Sequence, residues 1–270
     1  RSPHAYNNML YDSSRGANKV LQSDTTSAEI DISSANSGLR TFDSDGFTIG
    51  SESSLNDSGD PIVAWCWRAN GATTATNNEG NHTSTVQANT KAGFSIMTLA
   101  NYTSASGVTI GHGLGTAPSF YIHKSRSSSG NWHVYHSSLG ATKAMLLNSS
   151  NSVATAIGYF ANTEPTSTVL SLGNTLAGTS DGVVYAWSEI AGFSSFGTYI
   201  GSGNSNGAFI YTGFRPAMYF VKNATASNGW FVYDKLRDGF NGQNDTLSWQ
   251  STAVEDNTYQ QDILSNGFKV

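Results

Sequence analysis

The chain has 270 residues, 38% of them hydrophobic and 11% aromatic, enough to fill packed cores, yet only 12% are charged, about half the usual ~25%. The net charge of −5, with 14 Lys and Arg scattered along the chain, excludes a nucleic-acid surface, which needs grouped cations against phosphate. No apolar run approaches the ~18 residues of a membrane-spanning helix, so membrane insertion is not expected.

Taken in chain order, the predicted elements are strands. The chain begins at Arg1, without Met or a signal sequence, as a processed chain or a fragment would. The first motif is Leu10-Tyr11-Asp12-Ser13-Ser14-Arg15-Gly16, followed by a weakly signalled helical turn at Thr25–Glu29 and by Ser44-Asp45-Gly46-Phe47, a tight hairpin turn in which Gly takes positive φ without cost. An apolar strand, Asp60-Pro61-Ile62-Val63-Ala64-Trp65-Cys66-Trp67, closes this part. Its lone cysteine excludes a disulfide framework and a cysteine-rich zinc site, and between two tryptophans it reads as a small buried hydrophobe. Residues 72–92 are Thr/Asn-rich with almost no large apolar side chains, the composition of a linker or extended crossover.

Strand patterns return at Phe94–Leu99, Phe120–His123 and Trp132–Tyr135. Between them, Gly111-His112-Gly113-Leu114-Gly115 lacks the Lys of a phosphate loop and the helix of a dinucleotide fold, and reads as a hairpin connection. The motif recurs as Val134-Tyr135-His136-Ser137-Ser138-Leu139-Gly140, and Asp181–Ser188 matches Asp60–Trp67 when the two aspartates are aligned. The last part repeats Gly93-Phe94-Ser95 as Gly192-Phe193-Ser194 and carries strands Met218–Val221 and Trp230–Tyr233. Its turns fall at Asn206-Gly207, Asn228-Gly229 and Asn266-Gly267, with a second weak helical signal at Thr252–Asp256. Here the motif reads Val232-Tyr233-Asp234-Lys235-Leu236-Arg237-Asp238.

Three copies therefore follow one another, with 124 residues from Tyr11 to Tyr135 and 98 from Tyr135 to Tyr233. Short strands at ~8–12-residue spacing predict an all-β chain of tandem antiparallel β-sandwich repeats, jelly-roll or lectin-like. The boundaries are a partial first repeat at 1–71, the linker at 72–92, a second repeat at 93–191 and a third at 192–270 that lacks its closing strand. A sandwich missing a strand leaves open backbone groups. Either the chain continues beyond this window, or neighbouring chains supply strands by strand addition.

The copies test one another as sites. His123 corresponds to Val221, His133 to Phe231, and His136 to Asp12 and Asp234, so a shared metal site is not expected; His133 and His136 would also point to opposite faces of one strand. Asp43-Ser44-Asp45-Gly46 resembles the start of a calcium loop, but the distal Glu does not follow, and the third copy keeps only Asn266-Gly267. Asp12 with Arg15, and Asp234 with Arg237, read as loop-pinning pairs. Glu29 and Glu255 match each other with Val153 between, while Glu164 and Glu189 are isolated, so no carboxylate dyad repeats. No Gly-x-Ser-x-Gly elbow occurs. No catalytic residue, metal or cofactor is expected, and the chain reads as a non-enzyme. Trp132, Trp230, Tyr135 and Tyr233 recur in register and read as core. Trp249, which replaces Ser23 of the first copy, and Tyr259, Tyr159 and Tyr6, which sit in polar loops, are the candidate ligand-binding aromatics, since rings of this kind stack on sugars; they fit the interface of an oligomer equally.

Several strings together resemble a repeat family of tail-fibre-like structural proteins of marine tailed phages. They are Asp12-x-x-Arg15-Gly16-Ala17-Asn18-Lys19, Phe42-Asp43-Ser44-Asp45-Gly46-Phe47-Thr48-Ile49-Gly50, Gly111-His112-Gly113-Leu114-Gly115-x-x-Pro118, Asn131-Trp132-x-Val134-Tyr135-His136, Gly192-Phe193-Ser194-x-Phe196-Gly197 and Tyr211-Thr212-Gly213-Phe214-Arg215-Pro216. The resemblance implies an extracellular virion-surface protein without established catalytic residues. With a Ser/Thr/Asn surface, it leads to the expectation of a fibre-like structural and adhesion protein that binds host surface polysaccharide. Its partners would be copies of itself, as a trimer, and other virion proteins. The alternative is a capsid or tail decoration protein that binds no ligand.

Overall fold

A computed structural model of the protein describes residues 4–33, 36–102, 107–176, 180–239 and 241–270. Among them the chain is nearly all β: six antiparallel sheets, one four-residue helix at Ser53–Asn56 and one 3-10 turn at Asn174–Leu176. The helix lies in neither place where the sequence signalled a helical turn.

The centre is an eight-stranded sheet in the order Ala154–Thr155, Lys143–Leu146, His133–His136, Phe120–Ser125, Ser180–Trp187, Phe94–Tyr102, Ser84–Asn89, Ala75–Asn77. Side chains alternate along each strand, so Met97, Tyr121, Tyr135, Val184 and Ala186 fill one core with Val108, Ile110, Phe160, Leu170 and Leu172. That core lies beneath a two-stranded sheet, Val108–Gly111 with Val169–Leu172. Phe94, Ile96, Phe120, Ile122, Val134, Val183 and Tyr185 fill the opposite core with Leu21 and Ala69 of the first copy and Trp230 of the last.

Three sequence readings change. Residues 72–92 are no linker: Ala75–Asn77 and Ser84–Asn89 pair into the central sheet, because Val86 reaches one core and backbone pairing needs no large side chains on the other face. Gly111–Gly115 is not a hairpin connection either. It carries the chain from the two-stranded sheet to the central one, with His112 buried and its ring nitrogens bonded to the Thr166 carbonyl (3.2 Å) and the Leu114 N–H (3.2 Å). Cys66 is exposed rather than buried, because Ile62–Trp67 joins no sheet among the described residues.

The copies dock on one another in a common register. Met9, His133 and Phe231 occupy one position, each paired across a hairpin, to Gln22, Leu146 and Ser248 respectively. The residue before each is Asn8, Trp132 or Trp230. The Trp132 indole donates to the Gln22 carbonyl of the first copy (3.0 Å), and the Trp230 indole to the Leu146 carbonyl of the second (2.9 Å). The Asn8 amide donates to the Ser248 carbonyl of the third (3.0 Å). The three bonds run second to first, third to second and first to third, so they close a ring around the shared core. Other contacts keep the same register. Lys124 Nζ donates to the Thr26 carbonyl and Lys222 Nζ to that of Ser150 (3.1 Å each), while the backbone N–H of Glu29 meets Arg126 O (2.8 Å) and that of Val153 meets Ala224 O (2.9 Å).

The loop-pinning pairs form as expected and do more than pin loops. Asp12 accepts Arg15 Nε at 2.5 Å and the Tyr185 hydroxyl of the second copy at 2.5 Å. Asp234 accepts Arg237 Nε at 2.7 Å and the Trp65 indole of the first copy at 3.2 Å. Each arginine bonds a second carboxylate, Glu29 or Glu255. Tyr185 and Trp65 therefore hold equivalent places, which aligns Trp67 with Trp187 and moves the sequence alignment of these strands by one residue.

Candidate functional site

The four candidate aromatics are not brought together. Trp249 packs against the Phe220 ring at 4.5 Å and Tyr159 against His133 at 4.4 Å, both partly buried against the cores. The Tyr6 hydroxyl donates to Asp57 (3.3 Å), and Tyr259 is half-exposed beside Phe231, 5.5 Å away. Tyr159 was expected on a polar loop because its flanking residues are polar, and Trp249 as a ring replacing Ser23; tertiary packing turns both rings inward.

The histidines separate as the strand alternation requires. His133 faces His123 and Tyr159, and His136 faces Phe120. His123 Nε2 lies 2.6 Å from the Tyr102 hydroxyl. Burial holds the His123 pKa well below the ordinary imidazole value, helped by His133 and Lys124, and brings that of His133 to about 4, helped by Lys124. Both imidazoles are therefore neutral in the fold, whereas the unfolded chain protonates below about pH 6.5. The unfolded state then binds the additional protons, and stability falls as pH drops from about 6.5 toward 4, by about 1.4 kcal/mol per pH unit per histidine. A double variant His123→Val, His133→Phe, which copies Val221 and Phe231 of the third copy, should flatten that slope in urea titrations at successive pH values.

His4, Asp57 and Asp60 bring ligand atoms within 4.8 Å of one another, the geometry a metal ion could use. His4 Nδ1 lies 3.1 Å from Asp60 Oδ2, and hydrogen bonding inside the group accounts for its arrangement.

A polar cleft of about 450 Å³ opens at one end of the central sheet, within the size range of small-molecule sites. Thr98 lies on the same face as Phe94 and Ile96, with Thr85 directly opposite across the ladder. The first copy covers this face as far as Glu29 and Arg126; beyond that the threonines are left open. The wall is the loop at Asn81–Thr83. Asn81 N–H donates to Thr109 Oγ1 (2.9 Å), Thr109 N–H donates to Asn81 Oδ1 (2.7 Å), and His82 N–H donates to the Thr109 carbonyl (3.1 Å). Gly80 makes this clamp possible, since a Cβ there would stand 2.1 Å from the Thr109 carbonyl oxygen.

Arg126 and Asp181 close the other side of the cleft. Glu29 grips Arg126 through Nε and Nη2 at 2.9 and 2.8 Å, a bidentate pair that fixes the guanidinium plane. Burial alone would raise the Glu29 pKa, but the hydrogen bonds from Arg126 and Arg15 hold it below the usual carboxylate value, and the bond to Glu29 raises that of Arg126. Asp181 is oriented by the Asn101 N–H on Oδ1 (3.0 Å) and donates its own N–H to Ser127 (2.8 Å). The lining thus offers hydroxyls, an amide, an imidazole, one guanidinium and one carboxylate. Such a set can hydrogen-bond a polyhydroxylated ligand in both directions, but a single carboxylate does not form the acid–base pair of glycoside hydrolysis. Sequence reasoning missed this cleft because its residues come from four separated segments, with four of the nine residues in the stretch read as a linker or extended crossover.

No curated protein and no solved structure matches the chain. Over residues 1–270 it matches the model of one family, and it therefore belongs to the family described as a domain of unknown function, DUF7483.

Proposed function

We propose that the protein is a non-enzymatic adhesion module, a fibre-like structural protein of a virion surface, that binds host surface polysaccharide. In this reading the three copies are tandem β-sandwich units joined in one ring, and assembly into a homotrimer multiplies weak sites into avidity. The supporting observation is the cleft between Asn81–Thr85, Thr98, Arg126 and Asp181, whose neutral hydrogen-bonding groups flank one fixed cation and one fixed anion. The low charge of the chain agrees with a neutral or weakly acidic sugar ligand. The cleft volume of about 450 Å³ also lies within the range of small-molecule sites.

The test is glycan-array binding followed by calorimetry on the best polysaccharide. Asp181→Asn and Thr98→Val should each weaken binding, Asp181→Asn by about 10- to 100-fold, the ~1.5–3 kcal/mol of a hydrogen bond to a charged group, with thermal stability held as control. Absence of binding by the assembled protein would contradict the reading, as would release of reducing sugar. A second reading, a decoration protein that only packs against other virion proteins, is favoured by one observation: the apolar segment Ile62–Trp67 stands exposed.

A further inference from the structure

Two histidines stand directly opposite each other across a ladder of the central sheet, His123 on Phe120–Ser125 and His133 on His133–His136. Alternation puts them on the face of Tyr121 and Tyr135, toward the core that also holds Leu176. His123 is 2% exposed, and the Tyr159 ring lies against His133 at 4.4 Å. Each imidazole keeps one nitrogen, Nδ1, enclosed by protein and without a hydrogen-bond partner among the described residues. Buried polar atoms are nearly always paired, so two such atoms on neighbouring rings call for a ligand. The fold itself does not require them. In the third copy Val221 and Phe231 form the same cross-strand pair and pack against an apolar cluster.

The other side of His123 is built as that of a metal-binding histidine. Its Nε2 lies 2.6 Å from the Tyr102 hydroxyl, which donates to the Leu176 carbonyl (3.3 Å). A carbonyl only accepts, so the single hydroxyl hydrogen goes to Leu176 and Nε2 carries the hydrogen that Tyr102 accepts. The lone pair then sits on Nδ1, the nitrogen without a partner. An outer hydrogen bond of this kind fixes the tautomer and ring orientation of metal-binding histidines. Gly182 on the adjacent strand leaves room for it, since a Cβ there would stand 2.9 Å from the Tyr102 ring.

Spacing and charge narrow the ion. An imidazole nitrogen holds a metal at about 2.0 Å, which sets two ring centres about 5 Å apart at a tetrahedral angle and about 6.3 Å apart in a line. The centres of His123 and His133 are 6.1 Å apart, at the open, two-coordinate end of that range. Lys124 is the charged side chain that acts on both rings, and no carboxylate offsets it among the described residues. Its Nζ turns to the opposite face, to the carbonyls of Thr26 and Gly130. The cost of enclosing an ion rises with the square of its charge, so two neutral nitrogens beside a cation disfavour Zn²⁺ and suit a monovalent ion. Imidazole binds copper, and copper(I) accepts two nitrogen ligands in a line.

We propose that His123 and His133 form a two-coordinate site for one copper(I) ion, held through their Nδ1 atoms, in the central copy and not in the third. In the full chain carrying Cys66→Ser, which removes the exposed thiol that would itself take copper(I), anaerobic competition with a chromogenic copper(I) chelator should show one ion per chain. His123→Val with His133→Phe, the pair of the third copy, should lower the affinity roughly 100-fold or more with circular dichroism unchanged. Copper(I) is diamagnetic, so nitrogen NMR of the protein with its histidines intact reads the site directly. The Nδ1 signals of His123 and His133 should shift, and those of His4, His82, His112 and His136 should stay. No binding, equal affinity in the double variant, shifts spread over the other histidines, or displacement of copper(I) by an equal concentration of Zn²⁺ would each overturn the proposal.

Discussion

Replacing Asp12 by alanine should cost about 3–5 kcal/mol of stability, because the enclosed Arg15 guanidinium loses its nearer carboxylate and keeps only Glu29, at 2.9 Å. Arg15 is fully enclosed, and Asp12 also accepts the backbone N–H groups of Ser14 (3.0 Å) and Arg15 (2.8 Å) and the Tyr185 hydroxyl. The central copy supplies the control. There the same two positions are His136 and Leu139, and the loop is kept by the Ser138 N–H on His136 Nδ1. A double variant Asp12→His, Arg15→Leu should therefore lose much less, about 1–2 kcal/mol, since removing both members of a buried pair leaves no orphan charge. Urea unfolding of the two variants side by side measures the difference. Equal losses would show that the ion pair itself, rather than the stranded charge, carries the stability.

The second large effect belongs to the two docking tryptophans. Trp132→Ala and Trp230→Ala should each destabilise by about 3–5 kcal/mol, the usual cost of deleting a large buried aromatic, because each ring is wholly buried and its indole N–H is spent on a carbonyl of the preceding copy. Trp132→Phe isolates the hydrogen bond and should cost about 0.5–1.5 kcal/mol, the net worth of one hydrogen bond, since the Gln22 carbonyl still accepts the Thr25 N–H (3.3 Å). Asn8 stands in the same position of the first copy and donates to the carbonyls of Ser248, Trp249 and Ser251 at 3.0–3.2 Å. Asn8→Ala should cost a comparable hydrogen-bond penalty with little packing loss, as its side chain is small and only partly buried. Chemical denaturation of the four variants under one set of conditions gives the comparison.

Much of this architecture was legible in the sequence. The recurrence of Trp132 and Trp230 and the Asp12–Arg15 and Asp234–Arg237 pairs are local signals that land where their residue chemistry requires, whereas Gly46, Gly207, Gly229 and Gly267 do not take the positive φ expected of tight hairpin turns, and Gly267 begins a strand instead. What was not legible depended on contacts between copies. Glu29 and Glu255 matched each other between copies but showed no partner in the sequence, although each completes the arginine site of its own copy and Glu29 also fixes Arg126 of the next. Cys66 looked buried because its neighbours are apolar, yet burial of a strand depends on its flanking strands, which the first copy does not provide among the described residues. Residues 72–92 looked like a linker because edge strands that bury one face need few large side chains. Asn8 gave no signal at all, since only the register of the hairpins shows that it stands where the other copies have tryptophan.

The central claim is that the three copies close on one another in a single register rather than standing as independent units. Native-state hydrogen exchange under increasing denaturant tests it most directly, read on the amides of Lys19–Gln22, Lys143–Leu146 and Trp230–Asp234. A closed ring predicts that the slowest amides of all three segments merge into one unfolding isotherm with the same free energy. Separate isotherms, with the first-copy strand opening at markedly lower free energy than the other two, would contradict it.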